Sequence, residues 1–462
     1  MTENLHSADA WRCFVHRLAG RARSRYHPEY SGWLSQSAWN RRDFGRLPEM
    51  IVRAASIEDV LETVRFAAGL GHPLSVCTGG HSYAGCFLRH NSILLDVSAL
   101  NEISVDPEMM LARVGPGATS RQLTHALDAH NLAFPTGHGG EVALGGFLLG
   151  GGMGINSATW GGMSVFNVEA LDLITADGQL RHASATQNPD LFWAARGAGP
   201  NAFFVVTDFY LRCYPRPHIA NHACQLPWQA LGPLLETIEN KATAPNLQIM
   251  LGILPPRDGN PPFLMLNTIA FGQSSEECEQ LQQAFLRHIP AAQRTVISEN
   301  PNGSFEEIYQ QGEAMLIHER VRSDNIVTDS IHEVARVLEA QLPSQPAPDG
   351  MTLIVWRGHQ QYPDAAWSAR GRFFVSSYLQ WDDPAQDDEN QSWLRQLYDL
   401  LAPLSTACYI NEFDLEGRSD SLARCYSPDN WQRLTALRQR YDPQELFVDV
   451  RSLATESKKM PR

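Results

Sequence analysis

Residues 137–162 hold eleven of the chain's 34 glycines. Glycine in a folded segment costs backbone entropy, so a run this dense persists where another group must approach the main chain closely. Leu144, Phe147, Leu148 and Leu149 interleave with the glycines, which predicts a buried segment and not a solvated linker. The run opens as Gly137-His138-Gly139-Gly140-Glu141-Val142-Ala143-Leu144-Gly145-Gly146 and continues through Gly150-Gly151-Gly152-Met153-Gly154. It contains no G-x-G-x-x-G, so the fingerprint of a nicotinamide-type Rossmann fold is absent. An earlier glycine loop, Gly79-Gly80-His81-Ser82-Tyr83-Ala84-Gly85, follows the short apolar run Leu74 to Cys77. Backbone N–H groups turned inward by glycine can contact an anion such as a pyrophosphate, and a histidine in that loop sits beside whatever the loop cradles.

The rest of the chain sets bounds. At 462 residues it exceeds the size at which a single core stops growing, about 250–300 residues, so two domains are expected. The formal charge of −14 argues against a general nucleic-acid binder or an anionic-membrane binder. Eight scattered cysteines without C-x-x-C spacing predict neither a disulfide framework nor a metal site. The first ten residues are polar, and no apolar run reaches the roughly 18 residues of a membrane span. These features predict a soluble, cytoplasmic protein, and no oligomeric state follows from them.

Pro48 to Arg53 reads as a strand entering a helix, with Ser56 and Asp59 as its capping pair. Strands are expected near 74–77, 93–95, 103 and 111–114, and a helix over 120–130. Leu171 to Thr175 reads as a strand leading into the turn Ala176-Asp177-Gly178. A short helix follows at 190–195 and a β-rich run at 203–210. After Pro215 strands alternate with longer amphipathic helices, clearest at 275–288 and 330–341. The clearest strands there are 249–254, 263–270, 352–356 and 373–381. This pattern predicts a sheet with one face covered by helices. A last helix is expected over 429–440.

Together these segments resemble the vanillyl-alcohol-oxidase, or PCMH, type of FAD-binding domain, and within it the berberine-bridge-enzyme-like oxidases. The G-G-H-S-Y-x-G loop is similar to that family's covalent flavin-histidine motif. Phe134-Pro135-Thr136-Gly137-His138 through Gly154 is similar to its second flavin loop. Further matches are Val114-Gly115-Pro116-Gly117, Asp190 to Pro200, Val205-Val206-Thr207, Tyr409-Ile410-Asn411 and Tyr441-Asp442-Pro443. The resemblance implies an α+β fold. A two-part PCMH-type FAD-binding domain would take residues 1–215 (core from about residue 45) and a C-terminal return at 405–462. An inserted substrate-binding domain at 216–404 would be built on an antiparallel sheet covered by helices.

The resemblance also implies site residues. His81 would bond covalently to FAD, with Gly79, Gly80, Ser82, Tyr83 and Gly85 around it. Gly139, Val142, Gly145, Gly146, Gly150, Gly151, Gly152, Gly154 and Val206 would contact the cofactor. Gly139 stands where bicovalent members carry a cysteine, so attachment through His81 alone is expected, with no cysteinyl link. Cys77 stands at a frequent arginine position and Phe204 at a usual glycine. Val142 matches the position that gates oxygen approach. Tyr409 and Asn411 match a Y-x-N pair whose tyrosine acts as base; on a strand, both would face the same way. A tyrosine pKa near 10 needs hydrogen-bonding or cationic help to serve in that role. His138 is a further acid/base candidate, and Trp356, His359, Tyr378, Gln380 and Trp381 are pocket candidates. Arg451 is expected as a surface residue.

The implied activity is FAD-dependent oxidation of a small organic donor by hydride transfer to covalently bound flavin, with O2 as acceptor. An alcohol, a sugar hydroxyl or an amine-bearing natural product are the donor classes, and a role in secondary metabolism fits the family. The alternatives are a dehydrogenase with another acceptor, a flavin-dependent cyclase or oxygenase, and a flavin-binding protein without turnover.

Overall fold

A computed structural model describes residues 2–256 and 261–453, with side chains from Ala10 onward. The first sheet has four strands in the order Ala22–Ser24, Met50–Arg53, Ile93–Asp96, Leu74–Cys77. Ala22–Ser24 pairs antiparallel and the other two pairings are parallel, with helix Ile57–Leu70 making the crossover. Ser56 Oγ accepts the Asp59 N–H at 3.3 Å and so caps that helix, while Gly71 ends it with φ of 62°. The capping box stays half-formed, because the Asp59 carboxylate takes the Ala55 N–H and the Arg21 guanidinium instead.

A five-stranded antiparallel sheet follows, ordered Ile103–Asp106, Leu111–Val114, Phe204–Arg212, Val168–Thr175, Leu180–Ser184. The expected turn at 176–178 joins the last two of these. The third large sheet has seven strands, all antiparallel. Their order is Thr295–Asn300, His218–Pro227, Phe263–Gly272, Leu247–Leu254, Met351–Trp356, Phe373–Trp381, Arg320–Thr328. Helices Leu231–Lys241, Ser275–Leu286, Ile331–Gln341 and Asp387–Leu401 cover one face of it. Ile249, Leu251, Ile253, Leu264, Leu266, Ile354 and Val375 fill that core.

Three of these seven strands escape the sequence pattern. Arg320–Thr328 is the instructive one, because it buries charge. Arg322 pairs with Asp414, and Asp324 with Arg418. Polar residues buried as pairs erase the alternation that marks a strand. The chain's end then returns to its beginning: Leu74 N–H reaches Leu446 O at 2.8 Å, and Val448 N–H reaches Leu74 O at 3.0 Å. Asp442 fixes this return by accepting the N–H groups of Leu446 and Phe447 at 2.7 and 2.9 Å.

Candidate active site

The strand Leu74–Cys77 ends in the His81 loop, at the carboxyl end of a parallel pair, where open sheets place their crevices. The main chain of Gly80 has φ of 68°, and a Cβ there would collide with the Ser37 carbonyl. Trp39 stacks on the His81 ring at 5.5 Å with planes 9° apart. The Glu141 carbonyl lies on the side of the His81 ring where it favours the charged form. Burial lowers the His81 pKa to about 4, against smaller opposing effects of that carbonyl and of Glu313. The imidazole is therefore neutral, with one ring nitrogen carrying a lone pair.

The second glycine loop is held from outside. Helix Ser120–Asp128 starts with a full capping box, Thr119 with Gln122. Its Arg121 gathers Glu141, Glu306 and Glu313. Gly140 N–H donates to Glu313 at 3.0 Å. His138 faces Gln248, whose Nε2 lies 2.8 Å from His138 Nε2. Gln248 Oε1 accepts the Asn156 N–H at 3.0 Å, so its amide NH2 must be the group donating to His138. His138 is then protonated on Nδ1 and neutral, and burial lowers its pKa to about 4. Its Nε2 lone pair is already engaged, which argues against a free general base.

Between the two loops and the uncovered face of the seven-stranded sheet lies a cavity of about 1550 Å³. This exceeds the roughly 300–1,000 Å³ of ordinary small-molecule pockets. Gly79, Gly80, His81, Ser82, Tyr83, Gly139, Val142, Gly145, Gly146, Gly154 and Val206 all line it, as do Cys77 and Phe204. Gly85, Gly150, Gly151 and Gly152, expected as cofactor contacts, do not line it. A Cβ at these four positions would meet Phe44, Asn411, Trp367 and Phe147 respectively. Their glycines let protein segments close up behind the wall.

Tyr409 and Asn411 also reach the cavity, though by a different route from the expected strand. Ile410–Glu412 is a 3-10 turn, and Asn325 pins it by a two-way bond with the Tyr409 backbone at 2.6 and 2.9 Å. The Tyr409 hydroxyl oxygen accepts from Met153 N–H at 3.2 Å and from Asn411 Nδ2 at 3.0 Å. Both donors favour a phenolate, yet burial and then the neighbouring Glu412 charge raise the Tyr409 pKa above its usual value. Among the described residues no cation counters them.

Glu412 is the functional candidate that the motif reading misses. It lines the same cavity and accepts from the Tyr378 hydroxyl. Burial raises its pKa, and hydrogen bonds from Tyr378 and Ser376 oppose that rise. Tyr83 meets Tyr378 edge to face at 6.0 Å. The available signal was position: Glu412 directly follows the Y-x-N triplet.

Trp356, His359 and Tyr378 line the cavity; Gln380 and Trp381 do not. Gln380 is spent on backbone groups of Met315, Ile317 and Asp349. Trp381 points into the helix-covered core and donates to Asp387 at 2.6 Å. Arg451 is exposed and paired with Asp449.

The cavity fits FAD. Its size suits a dinucleotide together with a second molecule. A Cβ at Gly146 would meet only Thr78 Oγ1 at 3.9 Å, so the main chain there stands open to close approach. Trp39 Nε1, next to His81, is a buried donor without a partner among the described residues.

The FAD binding domain family matches residues 48–184. FAD-linked oxidoreductase nodO of Hypoxylon pulicicidum is 28% identical over 417 residues, covering 88% of this chain and 91% of that protein. (R)-6-hydroxynicotine oxidase of Paenarthrobacter nicotinovorans is 28% identical over 443 residues, covering 91% and 94%. The crystal structure of berberine bridge enzyme from Eschscholzia californica superposes with a TM-score of 0.81 at 18% identity, covering 96% and 99%. The chain thus carries an FAD binding domain and has the fold of the berberine-bridge-enzyme-like FAD-linked oxidoreductases.

Proposed function

We propose that this chain is an FAD-linked oxidase that removes a hydride and a proton from a small organic donor, with FAD held covalently by His81 alone. The observation that carries this reading is the convergence of His81, the second glycine loop and the Tyr409–Glu412 turn on one cavity. In it, residues 1–215 with 405–462 hold FAD, and 216–404 hold the donor. Bound FAD supplies the hydride acceptor and passes the electrons on. The neutral His81 imidazole presents a ring nitrogen with a lone pair for attachment. Gly139 offers no sulfur for a second link.

Glu412 is the proton acceptor in this proposal, in place of Tyr409. A carboxylate takes a proton near neutrality far more readily than a tyrosine whose pKa is raised further by burial. The two hydrogen bonds onto the Tyr409 oxygen leave its own proton for a group in the cavity, which suits a positioning donor. Val142, small and on the cavity wall, favours O2 as the acceptor. Anaerobic mixing with benzylic alcohols and cyclic amines tests the reading: a donor should bleach the flavin, and air should restore it with formation of peroxide. No bleaching by any donor contradicts it.

A further inference from the structure

The strands Leu247–Leu254, Phe263–Gly272, Met351–Trp356 and Phe373–Trp381 are adjacent in the seven-stranded sheet and carry no charged residue between them. Side chains alternate between the faces of a strand. The set not packed on the helices therefore forms cross-strand rows. One row is Asn267, Met250, Val355 and Phe374. The next is Met265, Gly252, Leu353 and Ser376. Below them Met351 pairs with Tyr378. Except for Ser376, all of these line the cavity. Met250, Met265, Leu353 and Val355 are only half-buried, so protein does not cover this apolar surface.

The polarity along the face is graded. Tyr378 brings the Phe373–Trp381 end to Glu412, next to Tyr409. Beyond it the rows are mainly apolar, through Leu353, Val355, Phe374, Met250 and Met265, with Ser376, Asn267 and, past Met250, Gln248 as their polar members. Three strand spacings separate the outer strands of the four, about 14 Å. Methionine side chains adapt to irregular apolar shapes. Gly252 leaves a trough in the middle row, since a Cβ there would meet only Met265 at 3.8 Å.

We infer that the donor is an elongated, uncharged, hydrophobic molecule whose one polar end, the oxidisable hydroxyl or amine, lies at Tyr378 and Glu412 while its apolar body runs across these four strands. This rests on the oxidase reading and narrows its donor class away from sugars. A sugar would leave its hydroxyls against aliphatic side chains without partners.

The homologous n-alkanols from butanol to octanol test the surface with the holoprotein, because binding is read from perturbation of the flavin absorbance and needs no turnover. Each added methylene should tighten Kd about fourfold, the factor for full burial of a CH2. Cellobiose should perturb the spectrum only weakly. Gly252→Leu should weaken octanol more than butanol. A Kd that stays flat along the series, or cellobiose binding tighter than octanol, overturns the inference. The two readings fail separately: a graded alkanol series without bleaching by any donor removes the oxidase reading alone, and bleaching with a flat series removes this one alone.

Discussion

Asn411 Nδ2 donates to the Tyr409 hydroxyl oxygen at 3.0 Å, across a 3-10 turn whose next residue, Glu412, accepts from Tyr378. The turn delivers three polar side chains to one end of a cavity whose sheet wall is mostly apolar, and it divides their tasks. Glu412→Gln should lower kcat by about 10²–10⁴, the range for loss of a positioned base. Tyr409→Phe should cost less, and mainly in KM, since it removes a positioning donor. Steady-state kinetics with any donor that bleaches the flavin checks both.

The pH profile follows from the same carboxyl. Tyr378, Ser376, Tyr83 and Tyr409 face Glu412, and none of them is cationic. Burial raises its pKa, so kcat/KM should climb with pH through a limb above the ordinary carboxylate range. Tyr378→Phe removes a hydrogen bond that lowers this pKa, and the limb should move to higher pH. In Glu412→Gln the limb should vanish.

Stability should fall in acid for a separate reason. His138 is neutral and half-buried, and its desolvation lowers its pKa from 6.5 to about 4. Below its unfolded value the unfolded chain binds a proton that the folded chain refuses, so its contribution is present above about pH 6.5 and is lost as pH falls toward 4. Thermal melts should show Tm dropping across this window, and less steeply in His138→Asn.

Two glycines should separate cofactor loading from turnover. Gly146→Leu projects into open cavity, so the variant should fold but bind little flavin. Gly150→Ala would strike the Asn411 side chain, so it should keep its flavin and lose kcat as the Tyr409–Asn411 bond is displaced. Absorbance per chain and kcat distinguish the two.

Much of this site is legible in the sequence, and the omissions have physical causes. Glycine density at 137–154 announces close approach, but not by what. Gly146 opens toward the cavity and Gly145 lets Thr78 and Pro116 close in, while Gly150 and Gly151 admit Asn411 and Trp367. The Tyr409–Asn411 partnership is readable from its motif, whereas its 3-10 geometry depends on Asn325, 84 residues away. Glu412 gains meaning only when strand register brings Tyr378 to it. The strand Arg320–Thr328 stays hidden because its inward polar residues are paired with a segment near the chain's end.

The central claim is that a single imidazole carries the cofactor. Acid precipitation of the purified protein followed by peptide mass spectrometry tests it most directly. The account predicts a yellow pellet, an FAD mass increment on the peptide that contains His81, and flavin released to the supernatant by His81→Ala. Free FAD in the wild-type supernatant, or an increment on a peptide lacking His81, would contradict it.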